Sequence, residues 1–173
     1  MALAQVHFMS PTLRKQVGAY VILPDRGKPP FPVFYLLHGL SDDYTIWQRR
    51  TRIEVYAQQY PMIVVLPDGF RGFYTDNHEG SRYAHYMADD IPNFIERNFP
   101  AKSSRGARCI GGLSMGGYGA LRLALGYPDR YVSATSHSGA LEVWDGLKRS
   151  DDEETAEFRR IFGPSAANTH HDL

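Results

Sequence analysis

The chain has a single cysteine, Cys109, among its 173 residues, which excludes an internal disulfide framework or a thiolate metal site. It also lacks an excess of either charge. Lys plus Arg and Asp plus Glu number 19 each, so neither a broadly basic nucleic-acid surface nor an acidic solvating tail is expected. No stretch approaches the ~18 consecutive apolar residues of a membrane span. The start, Met1 to Phe8, has no basic segment leading into a long apolar run. Internal repeats and low-complexity tracts are absent as well. These absences leave a cytoplasmic globular protein with neither nucleic acid nor membrane as a partner, and they leave its oligomeric state open. A hydrophobic share of 43% is enough for a substantial core, and the length suits one domain over residues 1–173. Cys109 lies in an apolar run and reads as a small buried core residue.

Hydrophobic patterning gives the order of elements. Val6 to Ser10 and Gln16 to Leu23 read as two short strands separated by the Pro11-Thr12 turn. Val33 to Leu37 is a continuous apolar run, as expected of a strand covered on both faces. Ile46, Trp47, Arg50, Ile53, Ala57 and Tyr60 fall at helical spacing, with Thr45 as the expected cap. Met62 to Leu66 is the next strand, and a loop rich in Gly, Tyr and Phe follows. A helix runs through Met87, Ile91, Phe94 and Ile95, kinked or restarted at Pro92. Ala107 to Gly111 is a strand, Met115 to Tyr127 a helix, and Tyr131 to His137 a further strand. The alternation implies right-handed crossovers and a mostly parallel sheet flanked by helices, with an antiparallel edge where the first two strands lack a helix between them. Beyond Leu141 the sequence becomes charged, with one helix expected around Asp152 to Ile161.

Gly112-Leu113-Ser114-Met115-Gly116 carries the strongest chemical signal. A bare Gly-x-Ser-x-Gly match is weak, but this one joins the apolar strand at Ala107 to Ile110 to a helix containing Gly117, Ala120, Leu121 and Leu123. That setting suits a nucleophilic serine. A sharp strand-to-helix turn projects the hydroxyl above the carboxyl edge of the sheet. Glycines two residues to either side remove the Cβ atoms that would collide where strand and helix cross, and the helix N-terminal amides favour developing negative charge. Earlier in the chain, His38-Gly39-Leu40 follows a buried strand. Gly39 permits a bend there, and the Leu40 amide, with that of Met115, is expected to form a two-donor oxyanion hole. His38 is expected to hold that loop rather than to act as the base.

Leu36 to Leu40, Val64 to Gly69, Phe73 to Asp76, and Gly111 to Ala120 occur in an order and spacing that resemble the esterase D family of the α/β-hydrolase fold. That family includes S-formylglutathione hydrolases, feruloyl and tributyrin-type esterases, and antigen 85 mycolyltransferases. The resemblance runs from about Gln5 to Gly139. It implies hydrolysis of small carboxylic esters or thioesters through an acyl-serine at Ser114, without a metal or organic cofactor. It also relates Asp68, Gly69 and Tyr74 to loops that line the family's substrate site, although turn and packing roles suit them equally. Acyl transfer to a hydroxyl acceptor and a non-catalytic hydrolase-fold fragment are the alternatives.

A serine needs a histidine to take its proton and a carboxylate to orient that histidine. In this fold both follow the serine in the chain, and the family places them after two further strands. No pattern for those strands follows His137, so the C-terminal strands of the fold read as missing and the domain as truncated. His137 belongs to a His-Ser-Gly turn, and His170 and His171 stand near the end, where backbone usually frays. Asp145, Asp151 and Asp152 lie in a charged stretch that reads as solvated surface. The His170-His171-Asp172 run is a poor metal site, because adjacent imidazoles do not easily share one ion. Two further expectations follow: weak turnover of simple esters, and an exposed, apolar last strand.

Overall fold

A computed structural model describes residues 1–142, 152–165 and 169–173. Its centre is a six-stranded sheet in the order β1-β2-β4-β3-β5-β6, formed by Ala2–Ser10, Lys15–Leu23, Ile63–Pro67, Val33–Leu37, Arg108–Leu113 and Ser133–His137 respectively. β1 pairs with β2 and β2 with β4 in antiparallel fashion, whereas β3 runs parallel to both β4 and β5, and β5 parallel to β6. The antiparallel edge therefore lies where the missing crossover helix implied it. β1 starts earlier than its apolar pattern suggests, because its pairing with β2 extends in full register from Ser10↔Lys15 to Ala2↔Leu23. Backbone bonds extend the strand past the residues whose side chains mark it.

The two faces of the sheet are covered unequally. On one face Val33, Tyr35, Leu37, Ile63, Val65 and Ile110 meet a large core that includes Ile91, Ile95, Met115, Tyr118 and Leu123. Those partners come from α4 (Ile91–Asn98) and α5 (Met115–Gly126). The opposite face packs Ile22, Leu36, Val64 and Leu66 against Ala57. Here the expected single helix is two short ones, α1 (Ile46–Arg50) and α2 (Ile53–Ala57), separated where the Thr51 backbone turns extended. Thr45 precedes α1 but does not cap it, because its hydroxyl donates to Asp43 Oδ1 instead. The two helices reach only part of their face. Beside them a groove of about 310 Å³ runs past Phe34, Tyr56, Tyr60, Cys109 and Thr135. Cys109 is therefore half-buried on a groove wall, not the enclosed core residue expected.

A short helix α3 (Tyr83–His85) leads through a π turn at Tyr86–Asp90 into α4, with Pro92 in the first turn. The Ile91 N–H still donates across the π turn, to Tyr86 O, and Pro92 follows it with no N–H of its own to satisfy. Arg108 joins α4 to β5 through two guanidinium nitrogens, Nε to Glu96 Oε1 at 2.6 Å and Nη2 to Oε2 at 2.9 Å, largely out of solvent. β6 is exposed as expected but is not apolar: Ser133, Thr135 and His137 face outward from a strand of sequence Ser-Ala-Thr-Ser-His. The last helix, α6 (Glu153–Phe162), is capped by the Asp152 side chain accepting from Thr155 N at 2.8 Å. Of the carboxylates considered above, Asp152 is thus a helix cap, while Asp145 and Asp151 lie outside the described residues. Among the described residues no helix is long and apolar enough to cross a membrane.

Candidate active site

Ser114 occupies the single residue between β5 and α5. Its backbone has φ 56° and ψ −117°, a region that L-residues populate only under constraint. Hydrogen bonds on both sides hold it there: its N–H donates to His137 O at 2.9 Å, and its carbonyl accepts from Tyr118 N at 3.0 Å and Ala140 N at 3.3 Å. The flanking glycines make the turn possible. A Cβ on Gly112 would lie 2.9 Å from Gly116 Cα, and one on Gly116 would lie 2.5 Å from Leu37 O and 2.7 Å from His38 O. The first turn of α5 is thus seated directly on the end of β3, with no room for a methyl group. Ser114 remains partly exposed while Met115 is buried behind it.

The turn after β3 lies beside the elbow, since a Cβ on Gly39 would be 3.9 Å from Ser114 Cβ. The Leu40 N–H makes no hydrogen bond among the described residues. Met115 is the first residue of α5, where an amide has no acceptor inside the helix. Two unengaged amides, on separate elements, thus flank the serine.

His38 is buried, at 1% exposure, and both ring nitrogens are engaged. Nδ1 lies 2.8 Å from Gly39 O, and Nε2 accepts from Gly69 N at 2.9 Å. A carbonyl can only accept and an N–H can only donate, so the ring is the neutral Nδ1–H tautomer. Asp68 Oδ1 stands 3.5 Å from Nε2, but that nitrogen's lone pair is already taken, so the approach is not an ion pair. Gly39 O also accepts from Asp42 N at 3.2 Å. In a planar trans peptide the C=O and the following N–H point in opposite directions. Fixing the Gly39 carbonyl therefore fixes the direction of the Leu40 N–H.

Of the other histidines, His85 and His171 have partners of their own, and His170 is exposed with its ring 3.9 Å from that of His171. His137 ends β6 on the exposed side shared with Ser133 and Thr135, whereas α5 packs near Ser136 on the other side, where a Cβ on Gly117 would be 2.8 Å from Ser136 Oγ. His85 forms a close pair with Asp76, an acid–histidine couple that the sequence reading missed. Its ring centroid is 6.3 Å from that of Tyr127, just past the far end of α5, which is roughly 18 Å from Ser114 along the helix. His171 does not fray. It is buried at 5% exposure, with its carbonyl accepting from the Tyr118 hydroxyl at 3.3 Å and its ring 5.3 Å from that of Phe162. Burial first, then the neighbouring His170 and Arg122, pushes its pKa down to about 4, so it is neutral at pH 7. No histidine bonds to Ser114 Oγ among the described residues. Nor do those residues gather three His, Cys, Asp or Glu side chains able to hold a metal ion.

Tyr74, related by resemblance to a substrate loop, is fully buried at 0% exposure. It packs under the site instead of lining a pocket.

A mostly parallel sheet flanked by helices, with a strained serine at a strand-to-helix elbow, defines a serine hydrolase of the α/β-hydrolase fold. A family model described as Putative esterase matches residues 10–169, and the chain belongs to that family of serine carboxylic ester hydrolases. It is 34% identical to an acetyl esterase of Caldicellulosiruptor saccharolyticus over 94% of this chain and 67% of that protein. Among solved structures it is similar to FphF, a fluorophosphonate-binding serine hydrolase of Staphylococcus aureus, with TM-score 0.88 and 29% identity over 99% of this chain and 70% of that one. An S-formylglutathione hydrolase from the same organism gives TM-score 0.82 and 28% identity, over 99% and 71%.

Proposed function

We propose that Ser114 is the nucleophile of an esterase acting on small esters or thioesters, with the Leu40 and Met115 amides as its oxyanion hole. The observation that carries this reading is the backbone of Ser114, held at φ 56° and ψ −117° between two unengaged amides. Backbone strain of that kind persists only where the surroundings enforce it, and it clusters at reacting residues. In the reaction Ser114 Oγ bonds to the acyl carbon, the carbonyl oxygen gains negative charge between the two amides, and the alcohol or thiol leaves with a proton. Water then releases the acid. The two donors act on charge that develops only in the transition state, which is where such donors have most effect. The names of the acetyl esterase and the S-formylglutathione hydrolase support a short acyl group as the substrate class.

The described residues do not complete a triad. His38 has no free nitrogen, His85 pairs with Asp76, His171 is buried against Tyr118 and Phe162, His137 lies on the outward side of β6, and none of their rings bonds to Ser114 Oγ. On this reading the chain supplies a nucleophile and two oxyanion donors, with no general base among the described residues. The lone cysteine, which needs no oxidising compartment, supports a cytoplasmic location.

Hydrolysis of p-nitrophenyl acetate tests this reading. The 173-residue chain should show slow turnover that Ser114→Ala removes, since oxyanion stabilisation without a base retains only part of the rate enhancement. Turnover at the level of an efficient esterase, lost in Ser114→Ala, would contradict the absence of a base. Turnover unaffected by that substitution would contradict Ser114 as the nucleophile.

A further inference from the structure

We infer that Tyr74 is a positioning residue that fixes the two oxyanion amides relative to one another. The inference rests on the reading of Ser114, Leu40 and Met115 given above. Those amides belong to different elements, the turn after β3 and the start of α5, and Tyr74 touches both. Its hydroxyl donates to His38 O at 2.9 Å, the carbonyl one peptide before the Gly39–Leu40 unit. Its ring lies against α5, where a Cβ on Gly119 would stand 2.6 Å from Tyr74 Cγ. On its other side a Cβ on Gly69 would stand 2.5 Å from Tyr74 Cζ, and the Gly69 N–H is the group that sets the His38 tautomer.

One side chain thus joins the second turn of the nucleophile helix to the oxyanion turn, and it packs on the residue that orients His38. Any larger residue than glycine at 69 or 119 would displace it. Burial holds its phenol well above the ordinary pKa, so the hydroxyl stays a donor through the working pH range. The loop adopts a costly backbone to place it: Phe70, Phe73 and Tyr74 have φ of 50°, 51° and 54°, the left-handed region that residues with a Cβ seldom occupy. Strain of this kind is found at sites whose geometry the surroundings must impose. Tyr74 has no access to substrate and acts only through the amides it fixes.

The test compares Tyr74→Phe with Tyr131→Phe in the full chain. Tyr131 is another buried phenol whose hydroxyl reaches a backbone carbonyl, Met87 O at 3.5 Å, but it lies away from the elbow. Each variant is treated with a fluorophosphonate, and adduct formation at Ser114 is followed by intact mass. With Tyr74→Phe the limiting inactivation rate should fall at least fivefold, short of the ~100-fold that follows loss of an entire oxyanion donor. The half-saturating concentration should not change, and Tyr131→Phe should label like the wild type. Equal behaviour of the two variants would reduce Tyr74 to a packing residue and overturn the inference alone. No adduct on wild-type Ser114 would overturn the nucleophile reading, and the inference with it. Should Tyr74→Phe fail to fold, NMR of the wild-type chain decides: a slowly exchanging Tyr74 hydroxyl proton is expected, and a freely exchanging one would remove the anchor.

Discussion

Replacing Gly116 by alanine tests how α5 is seated on the sheet. Within the helix the exchange should stabilise, since alanine is favoured over glycine by about 1 kcal/mol. The structure opposes it: the new Cβ would lie 2.5 Å from Leu37 O, 2.7 Å from His38 O and 2.7 Å from Leu37 C. All three are backbone atoms at the end of β3, a strand paired with β4 on one side and β5 on the other. They cannot turn aside as a side chain would. Overpacking of this type costs about 1–3 kcal/mol and occasionally more, and rigid backbone places this case at the upper end. After the gain in helix propensity, a net loss of about 2 kcal/mol is expected, or roughly 4–8 °C in Tm for a chain of this size. Urea unfolding should show a lower midpoint with an unchanged m-value. Gly106→Ala supplies the control, because a Cβ there meets nothing within 4 Å and should leave stability nearly unchanged. A Gly116→Ala chain as stable as the wild type would refute the close seating on which the elbow geometry depends.

Three further predictions follow from the same structure. Ser114→Gly should be more stable than Ser114→Ala by about 1 kcal/mol in urea unfolding, because glycine relieves a positive φ that alanine retains; equal stability would mean the turn is unstrained. Glu96→Ala should cost about 3 kcal/mol by leaving the Arg108 guanidinium poorly paired in a mostly buried position, and a loss below 1 kcal/mol would show that water satisfies it. His171 has a folded pKa of about 4 against an ordinary value near 6.5. Its contribution is therefore complete above about pH 6.5 and is lost as pH falls toward 4, where the unfolded chain binds the proton more readily. His171→Phe should flatten that part of the stability–pH curve, and an unchanged slope would contradict the buried, neutral ring.

The parts of this protein legible in the sequence are those fixed by short-range chemistry. The elbow is written in five consecutive residues, and the turn that follows β3 in His38-Gly39-Leu40. β3 and β4 declare themselves because both of their faces are buried. Features set by distant partners were not legible. The tautomer of His38 depends on Gly69, 31 residues on, and Tyr74 reaches His38 O across 36. Nothing local distinguishes His171, whose burial comes from Tyr118 and Phe162. The division of α1 from α2 escaped because the apolar spacing runs unbroken across Thr51, where only the backbone departs from the helix. The polar character of β6 is local, written in its own Ser-Ala-Thr-Ser-His.

The site of covalent attachment tests the assignment of the nucleophile most directly. The chain should be incubated with a fluorophosphonate, digested, and the modified peptide sequenced by mass spectrometry. A single adduct on Ser114, absent from Ser114→Ala, is the predicted result. An adduct on another residue, or one that persists in Ser114→Ala, would contradict it.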